Sequence, residues 1–209
     1  MVGMGWLLTD GPLKDLGVSE GSVNKSLASS RTTFWDAVTL FFSWTGATVS
    51  IIGVCLVVVV LVWRRTKQWW YAVVPLIAIS LQAMVFFFTT LLIDRERPDV
   101  EKLDDSPPTS SFPSGHTGAA TGLYFTLGLM ALRITNPVLR SVVVSVCLAI
   151  PFLVASARLY RGMHHLSDLV VAMVNGTVAA LLAWGWLRRS DDRSEDRSQD
   201  RRDLDQTRA

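Results

Sequence analysis

WYAVVPLIAISLQAMVFFFTTLLI, residues 70–93, runs for 24 residues without a charge and is followed at once by Asp94-Arg95-Glu96-Arg97-Pro98. Roughly 20 apolar residues cross the ~30 Å hydrocarbon layer of a bilayer. The stretch therefore reads as a membrane span, and the charged cluster marks where the chain leaves it. Working outward, 47–63, 137–157 and 167–187 read the same way, the first reaching back as far as Ala37. A fifth run, 116–132, is shorter and richer in glycine but also uncharged. With no water to satisfy the backbone inside a bilayer, helices are the economical solution for such runs. The expected fold is all-α, a multi-pass transmembrane helix bundle with five predicted spans. Its parts are an extramembrane N-terminal segment (1–33), a membrane core (34–188) and a charged tail (189–209) expected to be disordered, because it has almost nothing apolar to bury.

Charge is distributed by loop. The formal net charge of +2 is too small to suggest a nucleic-acid partner. Arg64, Arg65 and Lys67 follow the first span, Arg133 and Arg140 flank the loop after the third, and Arg188 and Arg189 follow the last. The positive-inside rule puts these loops and the C-terminus in the cytoplasm, and loops 94–115 and 158–167 on the outer face of the cell membrane. Trp63, Trp69, Trp70, Trp184 and Trp186 lie near the span ends, where indole rings favour the interface. Cys55 and Cys147 fall inside spans and read as small apolar residues, not as a disulfide. Met4–Leu8 is too short for the apolar core of a signal peptide.

The two outer loops hold the chemically suggestive residues. Loop 94–115 is long, acidic and proline-containing, and ends in Pro113-Ser114-Gly115-His116. Ser114 is a good N-cap. A helix start offers unpaired N–H groups and a positive dipole end to an anion. Gly115 permits close approach to the backbone, and His116 lies in the first turn. Downstream, Arg158 ends a span and can grip a phosphate through two N–H groups. His164 and Asp168, four apart, share a helix face, so that the carboxylate can orient one imidazole nitrogen and expose the other. His165 is also within a turn of Asp168, and residue chemistry alone does not choose between the two histidines. Arg95 and Arg97 add positive charge on the face where the charge bias does not call for it. Histidines with a carboxylate can bind zinc, but there is no H-E-x-x-H or cysteine-rich spacing, and the clustered arginines would repel a cation. Asn175, seven residues after Asp168, points the same face of the last span inward, and Gly118 and Gly122 permit close helix packing.

Arg97-Pro98, then Pro113-Ser114-Gly115-His116, then Arg158 with His164 and Asp168 resemble the type 2 phosphatidic acid phosphatase superfamily, whose pattern is Lys-x6-Arg-Pro, Pro-Ser-Gly-His and Ser-Arg-x5-His-x3-Asp. The resemblance covers about residues 37–187. It implies an integral membrane, metal-independent phosphoric-ester or pyrophosphate hydrolase with no cofactor. The implied substrate is a lipid phosphate: phosphatidate, phosphatidylglycerol phosphate or a polyprenyl pyrophosphate. Its spacing selects His164 over His165 as the nucleophile that becomes a phosphohistidine. Asp168 then orients His164, and His116 protonates the leaving oxygen. Arg97, Arg158, Ser114 and Gly115 hold phosphate oxygens, and Arg95 matches an arginine often found in the first motif. Three departures stand out. Thr90 replaces the family lysine, Ala157 replaces the serine before Arg158, and the family's usual first span of six is missing, with residues 1–33 in its place. The lost lysine motivates the competing reading, a membrane protein that binds lipid phosphate without turning it over.

Overall fold

The computed structural model of the chain describes residues 1–105 and 109–206, with side chains at all of these except 17, 18 and 191–206. The helices are α1 (Val2–Thr9), α2 (Lys14–Ser29), α3 (Thr33–Thr45), α4 (Thr48–Thr66), α5 (Trp69–Ala72), α6 (Val74–Leu92), α7 (Gly115–Ala131), α8 (Pro137–Tyr160) and α9 (Leu166–Gln206). No strand occurs among the described residues. Thr48–Thr66, Val74–Leu92, Pro137–Tyr160 and Leu166–Ser190 are long and apolar enough to cross a membrane.

The fifth expected span, α7, is only 17 residues long, and its place in the bundle explains its composition. It packs against α6, α8 and α9, and none of its residues is exposed. A helix surrounded by protein needs close-packing residues more than a greasy surface. Its hydroxyls bond back to their own helix, Thr121 Oγ1 to Thr117 O and Thr126 Oγ1 to Gly122 O, both at 2.7 Å. A Cβ on Gly176 of α9 would come within 2.7 Å of Thr121, Gly118 and Gly122, so helices α7 and α9 touch through a glycine-lined seam. Asn175 Nδ2 donates to Gln82 O at 3.2 Å and ties α9 to α6. Around this centre, α4, α6, α8 and α9 present Leu56, Phe87, Phe88, Phe152, Leu181 and Leu182 outward, each more than half exposed. Such a surface suits hydrocarbon, not water.

Two breaks depart from uninterrupted spans. The early start at Ala37 belongs to a separate helix, α3, divided from α4 at Gly46, where a Cβ would lie 2.6 Å from Val154 and 3.3 Å from His116. The 70–93 run divides into α5 and α6, with Pro75 in the first turn of α6. Proline is tolerated at a helix start, where its missing N–H costs nothing. Cys55 and Cys147 are free thiols in one apolar cluster.

The N-terminal segment folds over the end of the bundle at which α7 and α9 begin. Leu8 of α1 packs with Ile93, Phe112 and Val171. Arg31 donates to Tyr160 O, and the Tyr160 hydroxyl donates to Asp36. At the far end, Arg133 stacks on Tyr71 and Trp184. The backbone of the charged tail, expected to be disordered, continues α9 as helix to Gln206; its side chains and residues 207–209 lie outside the described residues, as do 106–108 in the loop between α6 and α7.

Candidate active site

Antiparallel helices bring the C-terminal ends of α6 and α8 to the same end of the bundle as the starts of α7 and α9. Ser114 caps α7, its Oγ accepting from Thr117 N at 3.4 Å and donating to Thr117 Oγ1 at 3.1 Å. The buried Ser114 hydroxyl is therefore engaged in starting the helix that carries His116. Gly162 leaves α8 with φ +72°, a left-handed conformation that glycine adopts without strain. That turn sends the chain through Met163 to His164 and into α9.

His164 is buried, and its Nδ1 lies 2.8 Å from the carbonyl oxygen of Ser111. A carbonyl only accepts, so Nδ1 carries the proton and Nε2 keeps its lone pair. Asp168 Oδ2 is further away, 3.8 Å from Nδ1, and acts on the ring through its charge. Asp168 is fully buried and saturated: Oδ2 accepts from Ser111 Oγ and from His165 N at 2.9 Å, and Oδ1 pairs with Arg95. Burial pushes His164 below the ordinary histidine range; Asp168 opposes this, and the charges of Arg158 and Arg97 add to it. The imidazole is therefore neutral at pH 7, the state a nucleophile needs.

His116 and Arg158 line a cavity of about 260 Å³ together with Ser43, Trp44, Asp104 and Asp105. His116 lies within electrostatic reach of Arg158, His164, Asp104 and Arg97. Arg158 Nη1 donates to Ser43 Oγ at 2.9 Å and to Asp104 Oδ2 at 2.7 Å. Arg97 Nη1 donates to Met163 O at 2.8 Å. The Nε atoms of both arginines are buried without a hydrogen-bond partner among the described residues. A buried cationic donor left unpaired is costly, and two that flank one neutral histidine suit an anion. His165 faces elsewhere, lining a second cavity of about 380 Å³ with Leu8, Thr9, Lys14, Asp94, Arg95 and Glu96. Gly115 borders a third, apolar cavity of about 530 Å³ between α4, α6 and α7.

The structure thus gathers Arg97, His116, Arg158, His164 and Asp168 at one end of the bundle. Arg95, expected with the phosphate-holding groups, bonds other protein groups: Nη1 donates to Ser167 Oγ at 2.7 Å and to Asp168, and Nη2 to Glu20 at 3.1 Å. Thr90 Oγ1 donates to its own helix at Phe87 O. Residues that sequence reasoning missed include Ser111, Glu20, Asp104 and Arg161. Ser111 acts partly through a backbone carbonyl, which no side-chain pattern announces. Arg161, one turn beyond Arg158, bonds Asp104, Leu103 O, Asp36 O and Thr39, anchoring the loop between α6 and α7 to α3. Burial would raise Asp104, but the Arg161 hydrogen bond and the charges of Arg158 and Arg161 hold it below the usual carboxylate range. No group of three or more His, Cys, Asp or Glu among the described residues is arranged to hold a metal ion.

Comparison with known proteins adds the family. Residues 69–192 match the PAP2 superfamily. Among solved structures, the fold resembles the transmembrane PAP2-type phosphatidylglycerolphosphate phosphatase from Bacillus subtilis, with TM-score 0.77, 20% identity, and coverage of 84% of this chain and 87% of that one. It also resembles LpxE from Aquifex aeolicus, with TM-score 0.64, 17% identity, and coverage of 78% and 93% respectively. No curated protein matches the chain.

Proposed function

Because the chain belongs to the PAP2 superfamily, we propose that it is a membrane phosphatase that hydrolyses a lipid phosphomonoester or diphosphate on the extracytoplasmic face, without metal, through a phosphohistidine. The observation that carries the reading is the pair of unpartnered guanidinium Nε–H groups, on Arg97 and Arg158, beside a histidine whose Nδ1 is held by a carbonyl. Phosphoryl transfer demands positioning and stabilisation of spread-out negative charge. Fixed cationic donors supply that stabilisation without reorganising.

In the proposed first step His164 Nε2 attacks phosphorus in line, a P–N bond forms, and the P–O bond to the lipid breaks. His116 gives its proton to the departing oxygen, a contribution of about 10²–10⁴-fold for general acid catalysis. Water then attacks phosphorus, His116 takes its proton, the P–N bond breaks, and phosphate leaves with His164 restored. Ser114 fixes the start of α7, whose backbone N–H groups at Gly115 add an anion contact. The apolar cavity beside Gly115 gives the hydrocarbon tail a place between α4 and α6 while the phosphate reaches His116. The basic ends of the spans lie opposite the site, which supports an outward-facing site and a cytoplasmic C-terminus.

The test is phosphate release by purified protein in detergent with EDTA present, on phosphatidate, phosphatidylglycerol phosphate and a polyprenyl pyrophosphate. Turnover of at least one, abolished by His164→Ala, is the expected result. Binding of all three without turnover would replace this reading with the binding-only one that Thr90 motivates.

A further inference from the structure

The N-terminal segment reaches into the catalytic machinery through one face of α2. Glu20 and Asn24 are four residues apart, so their side chains project together. Glu20 accepts three hydrogen bonds: from Ser167 N and Ser167 Oγ, both at 2.8 Å, and from Arg95 Nη2 at 3.1 Å. Asn24, buried to 1% exposure, donates Nδ2 to the carbonyl oxygen of His164 at 3.2 Å. These contacts span 147 and 140 positions of sequence respectively, and both grip the segment that begins at His164 and starts α9.

The first-turn N–H groups of a helix have no partner within it. In α9 Asp168 takes the N–H of His165 and Glu20 takes that of Ser167. Arg95 lies between the two acids, one Nη on each. Its charge is thereby shared, and the carboxylate that acts on His164 is held at a fixed distance without facing the whole guanidinium. Loss of Glu20 would free Ser167 and let Arg95 turn wholly onto Asp168.

Resting on the phosphatase reading above, we propose that Glu20 is a positioning residue for the reaction, acting through Ser167 and Arg95 on Asp168 and His164, with Asn24 as its lesser companion. The N-terminal segment is then part of the active site. Glu20 touches neither Arg97 nor Arg158, so its removal should slow the chemical step while leaving substrate binding unchanged.

The experiment measures kcat and KM for phosphate release from a lipid phosphate that the wild type turns over, alongside thermal unfolding, for Glu20→Gln, Glu20→Asp and Asn24→Ala. Glu20→Gln should lower kcat by roughly 10- to 100-fold, the scale of a remote misplacement near 1 Å, with KM within about twofold. Glu20→Asp, which keeps the charge on a shorter stem, should recover part of the loss, and Asn24→Ala should lose less than Glu20→Gln. A Glu20→Gln protein with wild-type kcat, or one that loses activity only in proportion to its unfolded fraction, overturns the proposal while leaving the phosphatase reading intact. If Glu20→Gln does not fold, Glu20→Asp decides by the same split between kcat and KM. A wild type that releases no phosphate from any lipid phosphate removes the reading and this proposal together.

Discussion

Arg95 and Arg97 stand two residues apart, yet one is closed and the other open. Arg95 is buried and tied through both terminal nitrogens to Asp168, Glu20 and Ser167. Arg97 keeps a single hydrogen bond, to the Met163 carbonyl, and its Nε has no partner among the described residues. A guanidinium whose donors are already matched by carboxylates supports its surroundings. One with donors to spare can still receive an anion. The same contrast divides the halves of the site, with the Asp168 side saturated and the His116 side holding Arg158 with an unpaired Nε. Arg158 is intermediate, because Asp104 takes one of its donors.

The strongest way to break this comparison is to remove Arg95. Arg95→Leu strips the cation from Asp168, which is fully buried, and from Glu20. Leaving a buried charge unpaired costs about 3–5 kcal/mol, so thermal unfolding in detergent should fall sharply. A stable Arg95→Leu protein would mean that the closed corner is not structural at all.

Arg97→Lys is the matching test on the open side. Lysine keeps the charge but loses the planar fork. Phosphate release should drop by about 10²–10³-fold, the scale for losing one fixed donor to a transition state, while the unfolding temperature stays close to wild type. If Arg97→Lys unfolds the protein and Arg95→Leu spares it, the two roles are reversed.

A smaller effect is expected at Ser111→Ala. Asp168 Oδ2 loses one donor but keeps His165 N, and the Ser111 carbonyl still holds His164 Nδ1. Stability should fall by about 1.5–3 kcal/mol, the contribution of one hydrogen bond to a charged group, with KM for the lipid phosphate unchanged. An altered KM would place Ser111 in contact with substrate.

Several of these features could be read from the sequence, and for physical reasons. Hydrocarbon demands long uncharged runs, so α4, α6, α8 and the start of α9 announce themselves by length alone. The centre of the bundle does not face hydrocarbon, so α7 shows in the sequence only as a shorter, glycine-rich run marked by its lack of charge. Gly118 and Gly122 suggested close packing, but their partner Gly176 carries no sign of its own, because the seam exists only once α7 and α9 are side by side. His116, His164, Asp168, Arg97 and Arg158 stand out together, through motifs whose order and spacing resemble the family's; singly, arginines are ordinary at span ends. By residue chemistry alone Arg95 and Arg97 read alike, and only the Arg97-Pro98 pattern sets them apart in sequence. What separates them is Glu20, 75 positions away, on a segment whose mixed composition gave no hint that it docks.

The smallest expected effect concerns the two adjacent histidines and pH. His164 faces Asp168 from α9, Arg158 from α8, Arg97 from the loop between α6 and α7, and His116 from α7. Burial and the two arginines outweigh Asp168 and lower its pKa. A nucleophile works in its neutral form, and a lowered pKa keeps it neutral to more acid pH. As pH falls, the acid limb of kcat/KM should therefore begin below about 6.5, the ordinary histidine value. His165 is lowered too, through burial, but it lines the cavity with Lys14 and Glu96 and lies outside the His116–Arg158 cavity. His165→Ala should leave this limb in place and change turnover little. Measured on one substrate, so that its own ionisation cancels, a limb that moves with His165→Ala would transfer the nucleophile's role to the neighbour.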